Sequence, residues 1–415
     1  MSFVERRDVY RPKTGEAPFT LEDAFYSRTD KRGVIVAGNF VFQKVSGFPW
    51  DELLGAPHKV VRHPDMPKGV FHLLWDTIKR GDPMGAYVKN RTKDGLYYWV
   101  FAVIVPCGEG YLSARIKPTS KLRDRIEAEY AALREKEKSG SLSPEQSAAH
   151  LLERLRALGF SDYEQFSSHA LSEELLARDK GLDRAPDGKF DNFRSAQDFA
   201  GKLEDSTDGL VAEFGRMRIT PINMRVIASR LEPTGGPISS LSKNYGLMSQ
   251  EITSWFDSTV VGPDSNFSTI RKSITHGVFV EGMARILTQC GAKLTSERRG
   301  LGEVNLETER SLLNTLVETY RKAATAKLCQ VEEDAGRITA ACKTMDRMIL
   351  GLSTTKVLCS VENARLPSES ESLTNIIEQL ASQQERMSQQ LEDIGTLSSA
   401  IRDAVSVLNK ASKRR

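Results

Sequence analysis

A proline-rich stretch near the front of the chain, PHKVVRHPDMP, concentrates side chains that could bind a polar ligand. Arg62, His63 and Asp65 are interspersed with prolines, so the stretch cannot form a regular helix and its side chains should emerge from a fixed loop. A guanidinium offers a planar fork of donors that suits a diphosphate or a ring carbonyl. The residue types therefore predict ligand binding.

Three further side chains complete the candidate site. Trp75 lies on the next predicted helix, where its ring could stack on a planar group. Asn90 lies on a predicted strand and can both donate and accept toward a heterocycle edge. His58 opens the proline-rich motif. The alternatives are ordinary core packing of Trp75 and Trp99, and salt bridges that only tie down the loop.

The elements that must position these residues occupy the first 120 residues. Runs of β-branched and aromatic residues predict strands, and turn formers at 93–95 and 107–110 predict tight turns. Between the first strand and the others, Val70, Leu74 and Ile78 share one face of a predicted helix. This pattern predicts a small antiparallel sheet with helices packed on one side. The predicted strands are 33–39, 86–92, 97–106 and 111–118.

The segment from Phe25 to Pro118 resembles a PAS domain of the aerotaxis-receptor type. The resemblance is carried by PHKVVRHPDMP, LWDTIKRG and VKNRTKDGLYYWV at the expected separations. It implies an α+β fold with a five-stranded antiparallel sheet and flanking helices and, in the redox-sensing members, a non-covalent FAD between helices and sheet. The sequence departs from the family at Met84, where the family has Trp. The predicted FAD contacts are His58, Arg62, His63, Asp65, Trp75 and Asn90.

Two alternatives to FAD remain open at this point. Haem could be held by an axial histidine, for which His58, His63 and His72 are the candidates. The PAS domain could also be empty and act as a cofactor-free scaffold for protein interaction and oligomerisation.

Beyond residue 118 the sequence is almost wholly helical in pattern. The predicted organisation is a PAS sensor at 20–118, a helical linker at 119–200, a helical hairpin at 201–262, a helical region at 263–362 and a C-terminal coiled coil at 363–411. Five heptads from Leu373 to Leu408 predict the coiled coil, with Gln384 and Ser398 in its seam. Its partner helix could come from Leu306–Leu352 or from a second copy of the chain.

Two apolar seams on either side of EPTGGP predict the antiparallel hairpin. Pro221 interrupts the first seam, so the arm either kinks there or restarts with Thr220 as a cap. The hairpin also resembles, in degenerate form, the kinase-control tip of methyl-accepting chemoreceptors, which implies a chemotaxis kinase or adaptor as partner. The matching residues are Asn223, Ala228, Arg230, Glu232, Gly235 and Gly236, and Val226 and Leu231 depart from the pattern.

Composition narrows the function classes. The formal net charge of +3 is far from the basic balance of a nucleic-acid binder. The five cysteines lack CxxC spacing and accompanying histidine pairs, which predicts no metal site, no disulfide framework and a reducing compartment. Because no run of about 18 apolar residues occurs, we predict no membrane span and a cytoplasmic location.

The combined prediction is a cytoplasmic signal-transduction sensor that detects redox, oxygen or energy state through FAD and relays it through helices. The helices predict a homodimer or higher oligomer. We predict no enzymatic activity and no catalytic residues, because the sequence contains no phosphate loop GxxxxGK[ST], no GxSxG elbow and no HExxH motif.

Overall fold

The structure is a computed structural model and forms two compact units. The first unit runs through Phe190 and also contains Thr275–Ala324, whereas the second contains Asp191–Ile274 and the chain from Thr325 on. None of the helices in the described ranges has the length and apolar character needed to cross a membrane. The described residues are 11–140, 142–185, 187–231, 236–258, 266–296, 304–365 and 371–413.

The first unit contains a five-stranded antiparallel sheet, as the resemblance predicted. Its spatial order is β2-β1-β5-β4-β3, and every neighbouring pair is antiparallel. The residue patterns alone had missed β1, because AFYSRTD mixes polar and apolar residues without a clear alternation. The strands are β1 (Ala24–Asp30), β2 (Ile35–Gly38), β3 (Met84–Arg91), β4 (Tyr97–Cys107) and β5 (Gly110–Ile116).

Three short helices and a 3-10 turn connect β2 to β3 on one face of the sheet, which we call the cavity face. They are α1 (Phe40–Ser46), α2 (Trp50–Leu53), the 3-10 turn His58–Val61 and α3 (Lys68–Lys79). Helix α3 contacts β3 and β4 and buries Val70, Leu74 and Ile78. This burial confirms the predicted apolar face.

Asn39 joins α1 to the sheet. Its side-chain oxygen accepts from Phe42 N at 3.2 Å and from Tyr26 N at 2.9 Å. Its amide nitrogen donates to Ala24 O at 2.8 Å. One fully buried side chain therefore caps a helix and satisfies two backbone groups of β1.

Helices also cover the opposite face of the sheet, which we call the outer face, so the prediction of helices on one side was wrong. Strand β4 is buried along nearly all its length, as expected for a strand covered on both faces. Gly85 N donates to Ser167 Oγ at 2.9 Å, and a Cβ on Gly85 would lie 3.0 Å from the Phe279 ring. The remaining helices of this unit are α4 (Lys121–Lys138), α5 (Pro144–Ala157), α6 (Tyr163–Gly181), the part of α10 (Asn266–Ser296) from Thr275 and the part of α11 (Leu306–Arg365) up to Ala324.

The described part of the second unit is helical. It contains most of α7 (Gly188–Met217), α8 (Thr220–Leu231), α9 (Pro237–Phe256) and α12 (Glu371–Lys413), together with α11 from Thr325 and α10 up to Ile274. Pro221 lies in the first turn of α8, so the chain restarts a helix at Thr220 rather than kinking one. Helix α8 runs antiparallel to α9: Ser242 Oγ donates to Pro221 O at 2.6 Å, and Ala228 packs with Ile238.

Helix α12 packs antiparallel to α11 of the same chain. Asn409 Nδ2 donates to Glu332 at 3.0 Å, and Asn363 Nδ2 donates to Thr374 at 3.0 Å near the other end. Gln384 and Ser398 are buried, as are the apolar residues of the seam except Ile377, which is half-buried. Of the predicted chemoreceptor-like tip, Glu232 and Gly235 lie outside the described residues.

Candidate functional site

A cavity of about 300 Å³ lies between α3, the 3-10 turn and the cavity face of the sheet. Its walls are mostly apolar, and a few polar side chains from three strands and the connecting segment reach it, as is typical of small-molecule sites. The apolar lining is Phe71, Leu74, Trp75, Ile78, Val88, Ala102 and Ile104. The polar lining includes Thr29, His58, Arg62, Asn90, Tyr111, Ser113 and Arg115.

Four of the six predicted contacts line this cavity: His58, Arg62, Trp75 and Asn90. The Arg62 guanidinium lies 3.8 Å from the centre of the Phe71 ring and donates to Met66 O at 3.3 Å. The Trp75 ring meets Tyr111 edge-on, with centroids 5.4 Å apart.

Gly33 sets the position of the Trp75 ring at the cavity wall. Its φ of +80° favours glycine, and a Cβ there would lie 3.1 Å from the indole. The absence of a side chain therefore lets the turn between β1 and β2 approach the ring closely.

His63 and Asp65 do not line the cavity. Asp65 accepts from Lys89 Nζ at 2.7 Å, and this hydrogen bond lowers the pKa of the carboxyl. The His63 ring lies against Tyr97, and burial lowers the pKa of its imidazole. Arg62 forms a backbone bridge with Asn90, so the chain is extended there and neighbouring side chains point in opposite directions. His63 and Asp65 thus make contacts that hold the loop in place, which was the alternative to ligand binding.

The candidate histidines and Trp99 lie in different places. His58 lines the cavity, whereas His72 lies outside it, 3.6 Å from Glu145. Trp99 is buried on the outer face against Tyr130, with centroids 6.5 Å apart. Trp99 is therefore a packing residue, in agreement with the alternative of ordinary core packing.

Arg115 on β5 is the site residue that sequence reasoning missed. It is 3% exposed, and its Nη2 atom donates to Ser27 Oγ at 2.7 Å and to His58 Nε2 at 2.6 Å. Its Nη1 atom is buried and has no hydrogen-bond partner. Among the described residues no carboxylate lies within 4 Å of the guanidinium. The only available signal was the alternation that places Tyr111, Ser113 and Arg115 on one face of a predicted strand.

Arg115 places a buried positive charge beside His58 in the cavity. Burial lowers its pKa to about 10, so it stays positive at neutral pH. Burial and then the charge of Arg115 lower the pKa of His58 to about 3, so His58 is neutral and its Nε2 accepts. A buried cation without a counter-ion is costly. A ligand with an anionic or carbonyl acceptor would offset that cost.

A second depression, which we call the outer groove, adjoins the cavity and shares Arg32, Arg62, Phe71 and Trp75 with it. Cations outnumber carboxylates along this groove. Lys68 and Lys79 form no ion pair within 4 Å among the described residues. The charged lining is Lys31, Arg32, Arg62, Lys68 and Lys79 against Asp76 and Glu145.

The N-terminal part of this chain is similar to known proteins. Residues 36–110 match a family model described as PAS fold. Over 121 residues the chain is 41% identical to the aerotaxis receptor of Escherichia coli (strain K12). The chain carries a PAS domain related to that of the aerotaxis receptor. The match covers 28% of this chain and 24% of the receptor, so this chain spans about a quarter of that relative's length.

Two solved structures also match the PAS domain. One is described as "Flavin Analogue Sheds Light on Light-Oxygen-Voltage Domain Mechanism", with 17% identity, a TM-score of 0.24 and coverage of 26% of this chain and 86% of that chain. The other is a PAS domain of a protein from Colwellia psychrerythraea, with 22% identity, a TM-score of 0.20 and coverage of 23% and 86%. At these TM-scores neither match bears on the function of the cavity.

Proposed function

We propose that this PAS domain is a cytoplasmic sensor that binds FAD in its cavity and signals redox state through the helical remainder of the chain, without catalysing a reaction. The observation that carries the proposal is the buried guanidinium of Arg115, which lines the cavity with one donor unused. The 41% identity to the aerotaxis receptor over this region supports a sensory role.

The residues present fit a flavin ring. The cavity volume of about 300 Å³ lies at the lower end of the range for small-molecule sites, roughly 300–1,000 Å³. Arg115 Nη1 and the Asn90 amide offer donors to ring carbonyls and nitrogens, and Trp75 and Phe71 offer apolar walls. The cations of the outer groove suit a diphosphate.

Bound FAD would supply a redox change that alters the charge and hydrogen-bonding capacity of its ring. Arg115 would respond to such a change, because Ser27 and His58 hold one end of its guanidinium and leave the other free to donate. Asn90 would respond through its amide, which offers a donor and an acceptor.

The proposed partners are a second copy of the chain and a chemotaxis kinase or its adaptor. Support comes from the resemblance of the α8–α9 hairpin to the chemoreceptor tip. Asn223 and Arg230 are exposed on α8, whereas Ala228 packs inward against Ile238 and Leu373. Of the matching residues on α8, Asn223 and Arg230 are thus the two whose side chains are available to a partner.

The test is an absorbance spectrum of the purified full chain, followed by titration of the apoprotein with FAD. We expect a flavin spectrum and saturable binding. Arg115→Met should weaken FAD binding by roughly tenfold or more, since a hydrogen bond to a charged group contributes about 1.5–3 kcal/mol. The same substitution should leave the stability of the apoprotein equal or higher, because it removes an uncompensated buried charge.

Arg125→Met is the matched control, since Arg125 is exposed on α4. Absence of flavin together with absence of FAD binding would overturn the proposal. Equal FAD affinity of wild type and Arg115→Met would remove Arg115 from it.

A further inference from the structure

The outer side of β1 holds a buried carboxylate that the proposed sensor does not explain. Glu309, in the first turn of α11, is 3% exposed. It accepts from Arg28 Nη2 at 2.6 Å and from Arg28 Nε at 2.9 Å. The buried hydroxyl of Tyr26 donates to the same carboxylate. This fork-like ion pair with a third donor is the strong form of charge-assisted hydrogen bonding.

The residue between these two donors faces the cavity side. Ser27 lies between Tyr26 and Arg28 on β1, and successive strand residues point to opposite faces. Its hydroxyl accepts from Arg115 Nη2 at 2.7 Å. Three consecutive residues of β1 therefore contact the cavity cation on one face and the α11 carboxylate on the other.

Strand β1 is also irregular at this point. Its register against β2 shifts between Arg28 and Thr29, whereas its pairing with β5 is continuous from Ala24 to Asp30. A bulge interrupts one ladder, leaves a residue unpaired and bends the strand locally. The place where cavity and α11 contacts meet is thus the least regular part of the strand.

We propose that Glu309 is the residue through which occupancy of the cavity acts on α11. A ligand that accepts a hydrogen bond from Arg115 alters the hydrogen bond between Arg115 and Ser27. Through the adjacent residues of β1, it also alters the hydrogen bonds that Tyr26 and Arg28 donate to Glu309. The inference rests on the proposed function only in needing a cavity ligand with an acceptor for Arg115. Because coupling between sites is reciprocal, a change at Glu309 must alter ligand affinity by the same factor as the ligand alters the α11 contact.

The experiment compares the full wild-type chain with Glu309→Gln and with Glu307→Gln, an exposed residue in the same turn. FAD affinity is measured by titration, and amide hydrogen exchange is followed across residues 306–324 with and without FAD. We expect Glu309→Gln to change FAD affinity at least about threefold and to abolish the FAD-dependent change in exchange. Glu307→Gln should behave as wild type.

Arg28→Lys keeps the charge but loses the fork, and it serves if Glu309→Gln does not fold. Faster exchange in 306–324 with FAD affinity unchanged within about twofold would show that Glu309 only fastens the helix, and would overturn the inference.

Failure of the proposed function is distinguishable from failure of this one. If wild type binds no FAD, Arg115→Met still tests the contact chain, since it should alter exchange in 306–324 while Arg125→Met does not. Unchanged exchange in Arg115→Met would overturn the inference independently of any flavin.

Discussion

The two faces of the PAS sheet differ in how their buried charged groups are satisfied. On the outer face, buried carboxylates are fully used: Glu174 on α6 accepts from Tyr87 at 2.8 Å, from Thr119 N at 2.6 Å and from Ser120 Oγ at 2.6 Å. On the cavity face, Arg115 is buried with a donor unused. A saturated polar group fixes a structure, whereas an unsaturated one leaves interaction energy for a ligand.

The largest effect on this comparison is expected from removing the buried acceptor Glu174 from the outer face. Glu174→Ala removes the carboxylate that accepts from the Tyr87 and Ser120 hydroxyls and from the backbone donors Thr119 N and Ser120 N. We therefore expect a loss of about 3–5 kcal/mol of unfolding free energy. Urea unfolding followed by tryptophan fluorescence measures it. Glu174→Gln, which keeps one acceptor, should recover part of the loss. The neighbouring Glu173→Ala is the control, and an equal loss there would contradict the argument.

Packing on the outer face gives a second, smaller effect. A Cβ at Gly85 would lie 2.7 Å from Ser167 Oγ and 3.0 Å from the Phe101 and Phe279 rings. Gly85→Ala should therefore cost about 1–3 kcal/mol, the usual range for overpacking. Gly201→Ala in α7, where nothing lies within 4 Å, should not destabilise. Differential scanning calorimetry distinguishes the two; similar melting shifts would show that the outer face has room.

On the cavity face, His58 should make the free energy of unfolding depend on pH. The pKa of His58 is about 3 in the folded chain and about 6.5 when unfolded. Between these values the unfolded chain binds a proton that the folded chain does not, so stability falls as pH is lowered through that window, by at most about 1.4 kcal/mol per pH unit.

His58→Gln keeps an acceptor for Arg115 and should flatten the stability curve between pH 6.5 and pH 4. Urea unfolding at several pH values measures the slope. His169→Gln, exposed on α6, is the control. An unchanged slope in His58→Gln would mean that His58 takes up its proton without unfolding.

The smallest effect belongs to the outer groove. Lys68→Gln and Lys79→Gln should each weaken FAD binding by roughly two- to fivefold, in line with about 0.5–1 kcal/mol for an exposed charge. Riboflavin, which has no phosphate, should bind equally to both variants and to wild type. Lys121→Gln on α4 is the control. Equal losses for FAD and riboflavin would place the diphosphate elsewhere.

Sequence patterns predicted the elements that are specified by residues close together in the chain. The apolar face of α3 and the turns at 93–95 and 107–110 follow from spacing and turn chemistry. Strand β1 escaped the residue patterns because Tyr26 and Arg28 donate to Glu309 on one face while Ser27 accepts from Arg115 on the other, so hydrophobic alternation is lost. The family resemblance recovered it.

The sequence predicted part of the candidate site. His58, Arg62, Trp75 and Asn90 came from the family motifs. Arg115 was not found, since its significance depends on the absence of a nearby carboxylate, which only tertiary structure reveals. Part of the cover of the outer face comes from Phe279 and Glu309, about two hundred residues or more beyond the strands they contact.

The buried amide of Asn39 makes the position intolerant of even a small chemical change. It must donate to Ala24 O while accepting from two backbone amides, and hydrolysis to aspartate would replace the donor with a second acceptor facing a carbonyl oxygen. That single reaction would loosen the strand on which both the cavity cation and the α11 carboxylate depend. The loss of one side-chain amide would thus disturb the contacts on both faces of the sheet at once.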